Sequence, residues 1–197
     1  MKLFLARTRM TAIISLFFLL AYSSAAAVEI SGVKLPEKAT LANNITVKLN
    51  GAGIRTKFFF DIYIGALYVE NTSHSAQALV SSIGANRMLM HFLYDGVSKE
   101  KITAGWVDGF QDNNSEKQMK ELQSELNSFN TFFSDTKKGD VILLDYIPHT
   151  GTEIRINGKL MGAIPGERFN QALRKVWLGD DPVDSGLKEA LLGVTEE

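Results

Sequence analysis

Gly51-Ala52-Gly53-Ile54-Arg55, followed by Phe58-Phe59-Phe60-Asp61-Ile62-Tyr63-Ile64-Gly65-Ala66-Leu67-Tyr68-Val69, is the stretch that decides how this chain of 197 residues folds. The run from Phe58 to Val69 is rich in aromatic and β-branched residues, which makes it a strand. It is apolar at both odd and even positions, so neither face of that strand is expected to meet water. The small residues Asn50-Gly51-Ala52-Gly53 interrupt the pattern after an alternating strand, Ile45 to Leu49. Gly51-Ala52-Gly53 is too short for a phosphate loop and does not open a helix, so it carries no nucleotide signature.

Outward from this stretch the chain alternates between the two periods. Ser75 to Ile83 reads as a short helix and Arg87 to Tyr94 as a strand. Ser98 caps a helix that brings Ile102, Trp106 and Phe110 to one face. Met119, Leu122, Leu126, Phe129 and Phe133 follow at spacings of 3, 4, 3 and 4, behind a Ser115/Gln118 capping box. Such a stripe is expected to face a core. Val141 to Ile147 is a strand, and Ile154 to Met161 is a hairpin turning on Asn157-Gly158. Gly166 to Leu178 and Ser185 to Leu192 return to helix. The order predicts an α+β fold, an antiparallel sheet covered on one face by a layer of helices.

The amino terminus has the pattern of a Sec-type leader. Lys2, Arg7 and Arg9 precede the apolar segment Ala12 to Ala21, and Ala25 and Ala27 occupy small-residue positions suited to cleavage after Ala27. The expectation is a periplasmic or secreted protein with no stable membrane span once processed, since the apolar segment is short for a bilayer. Residues 28–197 then form a single domain. The whole chain has 21 basic and 22 acidic residues, and the leader takes three of the basic ones. The remainder is therefore mildly acidic, which argues against nucleic acid as a partner. There are no cysteines, so stability must come from the core, and thiolate chemistry is excluded. His74, His91 and His149 lack metal-ligand spacing; His91 is expected to be buried, and His74 and His149 exposed. No hydrolase elbow, zinc motif or nucleotide motif occurs. No cofactor or metal is expected, and no protein partner is indicated.

Arg55 is the remaining candidate for function. A guanidinium beside such apolar sequence, if buried, must find an anion. Asp61 is an internal choice, a ligand carboxylate is another, and plain solvent exposure is a third. Tyr63 shares strand parity with Phe59 and Asp61 and would supply a hydroxyl.

These same residues, with Lys57 and Glu70 around them, resemble the central hairpin of the chalcone isomerase-like family, and more closely its exported bacterial branch. The resemblance extends from about Val33 to Leu192 and includes Asn157-Gly158, Gly162-Ala163-Ile164-Pro165-Gly166 and Leu178-Gly179-Asp180. It implies an open-faced β-sandwich, a large antiparallel sheet overlaid by helices with a cleft between them. It implies that Arg55 lies in that cleft. In fatty-acid-binding relatives this arginine holds the ligand carboxylate together with a tyrosine on the following strand, for which Tyr63 is the first match and Tyr68 the second. The plant isomerases carry a tyrosine and an asparagine on the first long helix and a threonine on the late helix. Val97, Ala104 and Val176 stand at those positions, and Tyr63 stands where the isomerases have a strand threonine. The implied function is non-catalytic binding of a small amphipathic carboxylate such as a fatty acid, its tail running between the sheet and the helices bearing Trp106, Phe110 and Leu122. The alternatives are an intramolecular lyase or isomerase with a diverged active site, and a structural or interaction protein whose cleft is filled by side chains.

Overall fold

The computed structural model describes residues 27–194. The leader, apart from Ala27, lies outside the described residues. Strands β3 (Lys38–Thr40), β4 (Thr46–Lys57), β5 (Phe60–Val69), β6 (Asn86–Phe92), β7 (Val141–Ile147), β8 (Gly151–Ile156) and β9 (Lys159–Ile164) form one antiparallel sheet in simple sequential order. A separate two-stranded ribbon, β1 (Ala27–Ile30) and β2 (Val33–Pro36), precedes it. The helices are α1 (Ala76–Ser81), α2 (Lys99–Asn113), α3 (Glu116–Asn130), α4 (Glu167–Leu178) and α5 (Ser185–Leu191). The α+β expectation holds, with the helices gathered on one face.

That arrangement accounts for the doubly apolar run only from Tyr63 to Val69; the expected strand starts later, at Phe60, and Phe58, Phe59 and Phe60 are exposed. Tyr63, Leu67 and Val69 of β5 pack with the helices, among them Trp106, Phe129 and Leu173. Ile64, Ala66 and Tyr68 of the same strand pack the other way, with Leu35 of β2 and with Leu41 and Val47. Successive strand residues alternate faces, so covering both faces removes any wet parity. The ribbon β1–β2, with Ile30, Val33 and Leu35, covers that second side. Its short strands carry little alternating pattern, which is why sequence reasoning passed over them.

The stripe read from Met119 to Phe133 does face the core: Leu122, Leu126, Phe129 and Phe133 are buried, although the helix itself ends at Asn130 and Phe133 lies in the loop beyond. Ser98 accepts from the Lys101 amide, and the Ser115/Gln118 capping box closes in both directions. Among the described residues no helix is long and apolar enough to cross a membrane.

The glycine stretch is corrected. Asn50-Gly51-Ala52-Gly53 does not interrupt a strand; β4 runs through it, with an irregularity in register between Leu49 and Gly51. The small residues instead admit α5 against the sheet. A Cβ at Gly51 would run into the carbonyls of Ala190 and Leu191, and one at Gly53 into the Ala190 side chain. Backbone-to-backbone approach of this kind needs glycine because any side chain would have to displace the helix. The histidines differ partly from expectation. His91 is half-buried rather than buried, while His74 and His149 are exposed, His74 bonding the Leu192 carbonyl oxygen at 2.6 Å. No cluster of metal-ligating side chains occurs among the described residues.

Candidate functional site

Arg55 and Tyr63 are direct cross-strand partners on β4 and β5. They project to the helix side, and the guanidinium carbon stands 5.7 Å from the centroid of the Tyr63 ring. This cation–π contact holds Arg55 over an aromatic face. Seating α5 on Gly51 and Gly53 brings its cap residue, Asp184, to the same end of β4. One Asp184 carboxylate oxygen accepts from the Thr56 amide at 2.9 Å and the other from the Leu187 amide at 2.8 Å. Both oxygens of this carboxylate are therefore engaged by backbone.

Asp61, the candidate internal partner, does not pair with Arg55. The register of the hairpin sets Asp61 opposite Thr56, whose hydroxyl donates to it at 3.2 Å, and an irregularity between Thr56 and Arg55 then places Tyr63 opposite Arg55. Among the described residues Arg55 makes no salt bridge, and its Nε is buried without any hydrogen-bond partner. Trp106 Nε1 is a second buried donor with no partner. Both residues line one small pocket of about 60 Å³, walled also by Tyr63, Phe92, Val97 and Val176. Lys101 contributes a second cation to its lining, and no carboxylate lines it. Outside this pocket, and sharing Arg55, Lys101 and Val97 with it, lies a cleft of about 630 Å³ that opens between α2 and the β4–β5 hairpin.

The Tyr63 hydroxyl accepts one hydrogen bond, from Trp177 Nε1 at 2.9 Å. Its own proton is not committed to any acceptor among the described residues. Burial raises the pKa of this phenol, outweighing the nearby Arg55 charge and the Trp177 donation that lower it. Tyr63 is therefore a neutral hydroxyl at ordinary pH. The pocket brings together a half-buried guanidinium, an indole N–H and a phenol against an apolar wall.

Tyr68 is corrected. It lies five residues beyond Tyr63, an odd step along a strand, and so points to the opposite face, among the side chains under the β1–β2 ribbon. Its hydroxyl is buried without a partner, and its neighbour across the sheet is Arg87 rather than Arg55. The route expected for a ligand tail is corrected as well. Trp106 packs edge-on against Phe129 at 5.3 Å and Trp177 at 5.6 Å, and Phe110 packs on Phe169 at 5.4 Å. These rings fill the space beneath Arg55, so the open volume beside Arg55 runs outward to the cleft; a separate cavity of about 600 Å³ lies between α3 and α4, lined by Leu122 and Phe169.

The three positions matched to the isomerases' polar residues do face the open volume. Val97 and Val176 line the inner pocket, and Ala104 lines the outer cleft. The residues there are apolar. Sequence reasoning missed Trp106 and Trp177 as polar contributors, because helical periodicity registers an indole only as core. It also missed Lys101, whose place beside Arg55 depends on how α2 crosses the sheet.

No curated protein matches the sequence. Among solved structures, the fold is similar to that of a fatty-acid binding protein from Arabidopsis thaliana, with a TM-score of 0.67 and 14% sequence identity, over 85% of this chain and 96% of that one. The family model described as chalcone isomerase-like matches residues 27–193, and the chain belongs to the chalcone isomerase-like family.

Proposed function

We propose that this protein is a non-catalytic binder of a small amphipathic carboxylate, with a fatty acid as the model ligand. The observation that carries the reading is Arg55: a cation over the Tyr63 ring with, among the described residues, no anionic partner, its buried Nε and the Trp106 indole N–H both unpaired in one pocket. A carboxylate placed there would accept both donors and the Tyr63 proton, and charge-assisted bonds of this kind are the strong ones. The inner pocket has room for about two waters or one carboxylate head. The tail would lie in the outer cleft of about 630 Å³, a volume within the usual range for ligand sites. The fatty-acid ligand of the Arabidopsis neighbour supports the ligand class. The apolar residues Val97, Ala104 and Val176 support binding over catalysis. The leader-like residues 1–27 support an envelope location, for which amino-terminal sequencing of exported protein, beginning after Ala27, is the check.

Both tryptophans of the chain, Trp106 and Trp177, stand at or beside the pocket, so their fluorescence reports occupancy directly. Titration with palmitate should quench or shift it, and the methyl ester, lacking the charge, should bind at least about tenfold more weakly. Arg55→Ala should weaken palmitate binding about 10- to 100-fold. Equal affinity for acid and ester, or equal affinity in wild type and variant, refutes the reading. Cyclisation of a chalcone by the purified protein, abolished in Arg55→Ala, would instead favour a diverged isomerase.

A further inference from the structure

The β4–β5 hairpin turns on two phenylalanines. Lys57 pairs with Phe60, and Phe58-Phe59 form the two-residue loop between them. Phe58 is 84% exposed, Phe59 97% and Phe60 54%. Phe58 also sits at φ +58°, a conformation that bulky residues adopt only under strain. Two-residue hairpins favour Gly, Asn or Asp at such positions. The same protein uses that solution elsewhere: the β8–β9 loop is Asn157-Gly158, with φ of +50° and +80°. The β4–β5 tip therefore presents three aromatic rings to solvent at a cost in both hydration and backbone energy, and folding does not require them.

The position of this tip points to what the rings meet. Phe58 and Phe60 line the mouth of the outer cleft, with Lys57 and Lys101 beside them. Tyr94, itself at the protein surface, packs edge-on against Phe60 at 5.3 Å. The carboxylates of the cleft, Asp108, Asp112 and Asp181, come from α2 and from the segment before α5, and Asp61 follows Phe60 in the hairpin. Three phenylalanines bury about 450–750 Å² at most, toward the low end of the roughly 600–1,000 Å² that each partner contributes to a stable protein interface. Aromatic rings flanked by lysines are suited to a bilayer, where the rings enter the interfacial region and the ammonium groups meet anionic headgroups.

We propose that the Phe58-Phe59-Phe60 tip, with Lys57 and Lys101, docks this protein on an anionic phospholipid surface, so that the mouth of the cleft opens at the lipid interface. The docking surface is made by the hairpin and does not depend on Arg55, so it stands or falls separately from the ligand reading. Docking shortens the transfer of an apolar ligand between membrane and cleft by removing its passage through water.

The test is co-sedimentation of the full mature chain with vesicles of phosphatidylglycerol and phosphatidylethanolamine, and with vesicles of phosphatidylcholine alone. Wild type should partition to the anionic vesicles, more weakly to the neutral ones, and lose part of the binding in high salt. The double variant Phe58→Gly, Phe59→Asn should lose about a hundredfold in partitioning, about tenfold for each ring withdrawn from lipid. Its melting temperature should be equal to or above that of wild type, because glycine adopts a positive φ without strain; this separates lost docking from lost folding. Equal partitioning of wild type and variant overturns the proposal. So does wild type that stays in the supernatant, including the case where it forms a dimer that the double variant cannot form. Palmitate titration without vesicles decides the ligand reading by itself.

Discussion

Replacing Arg55 with methionine should make the protein more stable while it loses its ligand. The structure supplies the terms. The guanidinium has no ion pair among the described residues, and its Nε is buried without an acceptor. An unsatisfied buried donor costs about 1–3 kcal/mol. Against this, the substitution removes one cation–π contact with Tyr63, worth about 0.5–1 kcal/mol at a partly exposed site. Methionine keeps most of the aliphatic stem that lies over the ring and adapts to irregular apolar walls. The balance is a gain of about 1 kcal/mol, which for a chain of this size raises Tm by about 2–4 °C. Thermal unfolding followed by tryptophan fluorescence reads the shift, and palmitate titration on the same samples reads the loss of affinity. A ligand residue held at the expense of stability gives opposite signs in the two assays. A clear fall in Tm for Arg55→Met would refute the reasoning, because it would mean that Arg55 is a structural residue with an internal partner.

The remaining predictions concern the frame around the site. Gly51→Ala places a Cβ against the Ala190 and Leu191 carbonyls, so it should cost at least about 1–3 kcal/mol and displace α5, lowering the denaturation midpoint in urea. Asp145, 2% exposed, holds Arg87 through two bonds of 2.6 Å across β6 and β7. Asp145→Ala leaves that guanidinium without its anion and should cost about 3–5 kcal/mol by equilibrium unfolding, whereas replacing both partners with apolar residues should recover much of the loss. Burial raises the phenol pKa of Tyr63, Tyr68 and Tyr146 above the ordinary value. The folded state therefore holds these protons after the unfolded chain has released them. Their contribution to stability is complete below about pH 10 and is lost as pH rises through the folded values. Ultraviolet titration should show delayed tyrosinate absorbance, with cooperative unfolding at alkaline pH; an undelayed titration of Tyr63, Tyr68 and Tyr146 in the folded protein would contradict it.

Local chemistry was legible wherever residues close in the chain were enough to specify it. Ser98 and Ser115 cap their helices because a hydroxyl reaches an amide three residues on, and Asn157-Gly158 turns a hairpin because those residues adopt positive φ. The pairing of Arg55 with Tyr63 was not: a two-residue loop alone would set Ile62 opposite Arg55, and a register irregularity between Arg55 and Thr56 brings Tyr63 there instead. Reading Asn50 to Gly53 as an interruption failed because glycine has two uses, chain reversal and close approach. Only α5, more than 130 residues later, shows which one applies. Tyr68 was offered beside Tyr63 although the two lie an odd step apart, and a strand buried on both faces gives no compositional sign of which side a tyrosine takes.

By itself the sequence determined the class of fold, the helix-facing stripe of α3 and the presence of one arginine set in apolar surroundings. These follow from periodicity and from the fixed charge of a guanidinium, both of which are local properties. The tertiary structure decided where that charge stands. It turned Asp61 to Thr56, committed Asp184 to backbone amides, and set Trp106 and Trp177 around Tyr63. It also filled the space around Trp106 with aromatic rings, leaving the open volume next to Arg55 at a mouth edged by Phe58 and Phe60. The physical reason is that an ion's partners and a cavity's shape are set by contacts between residues distant in the chain. A strand or helix pattern specifies which face is buried, and only packing specifies against what.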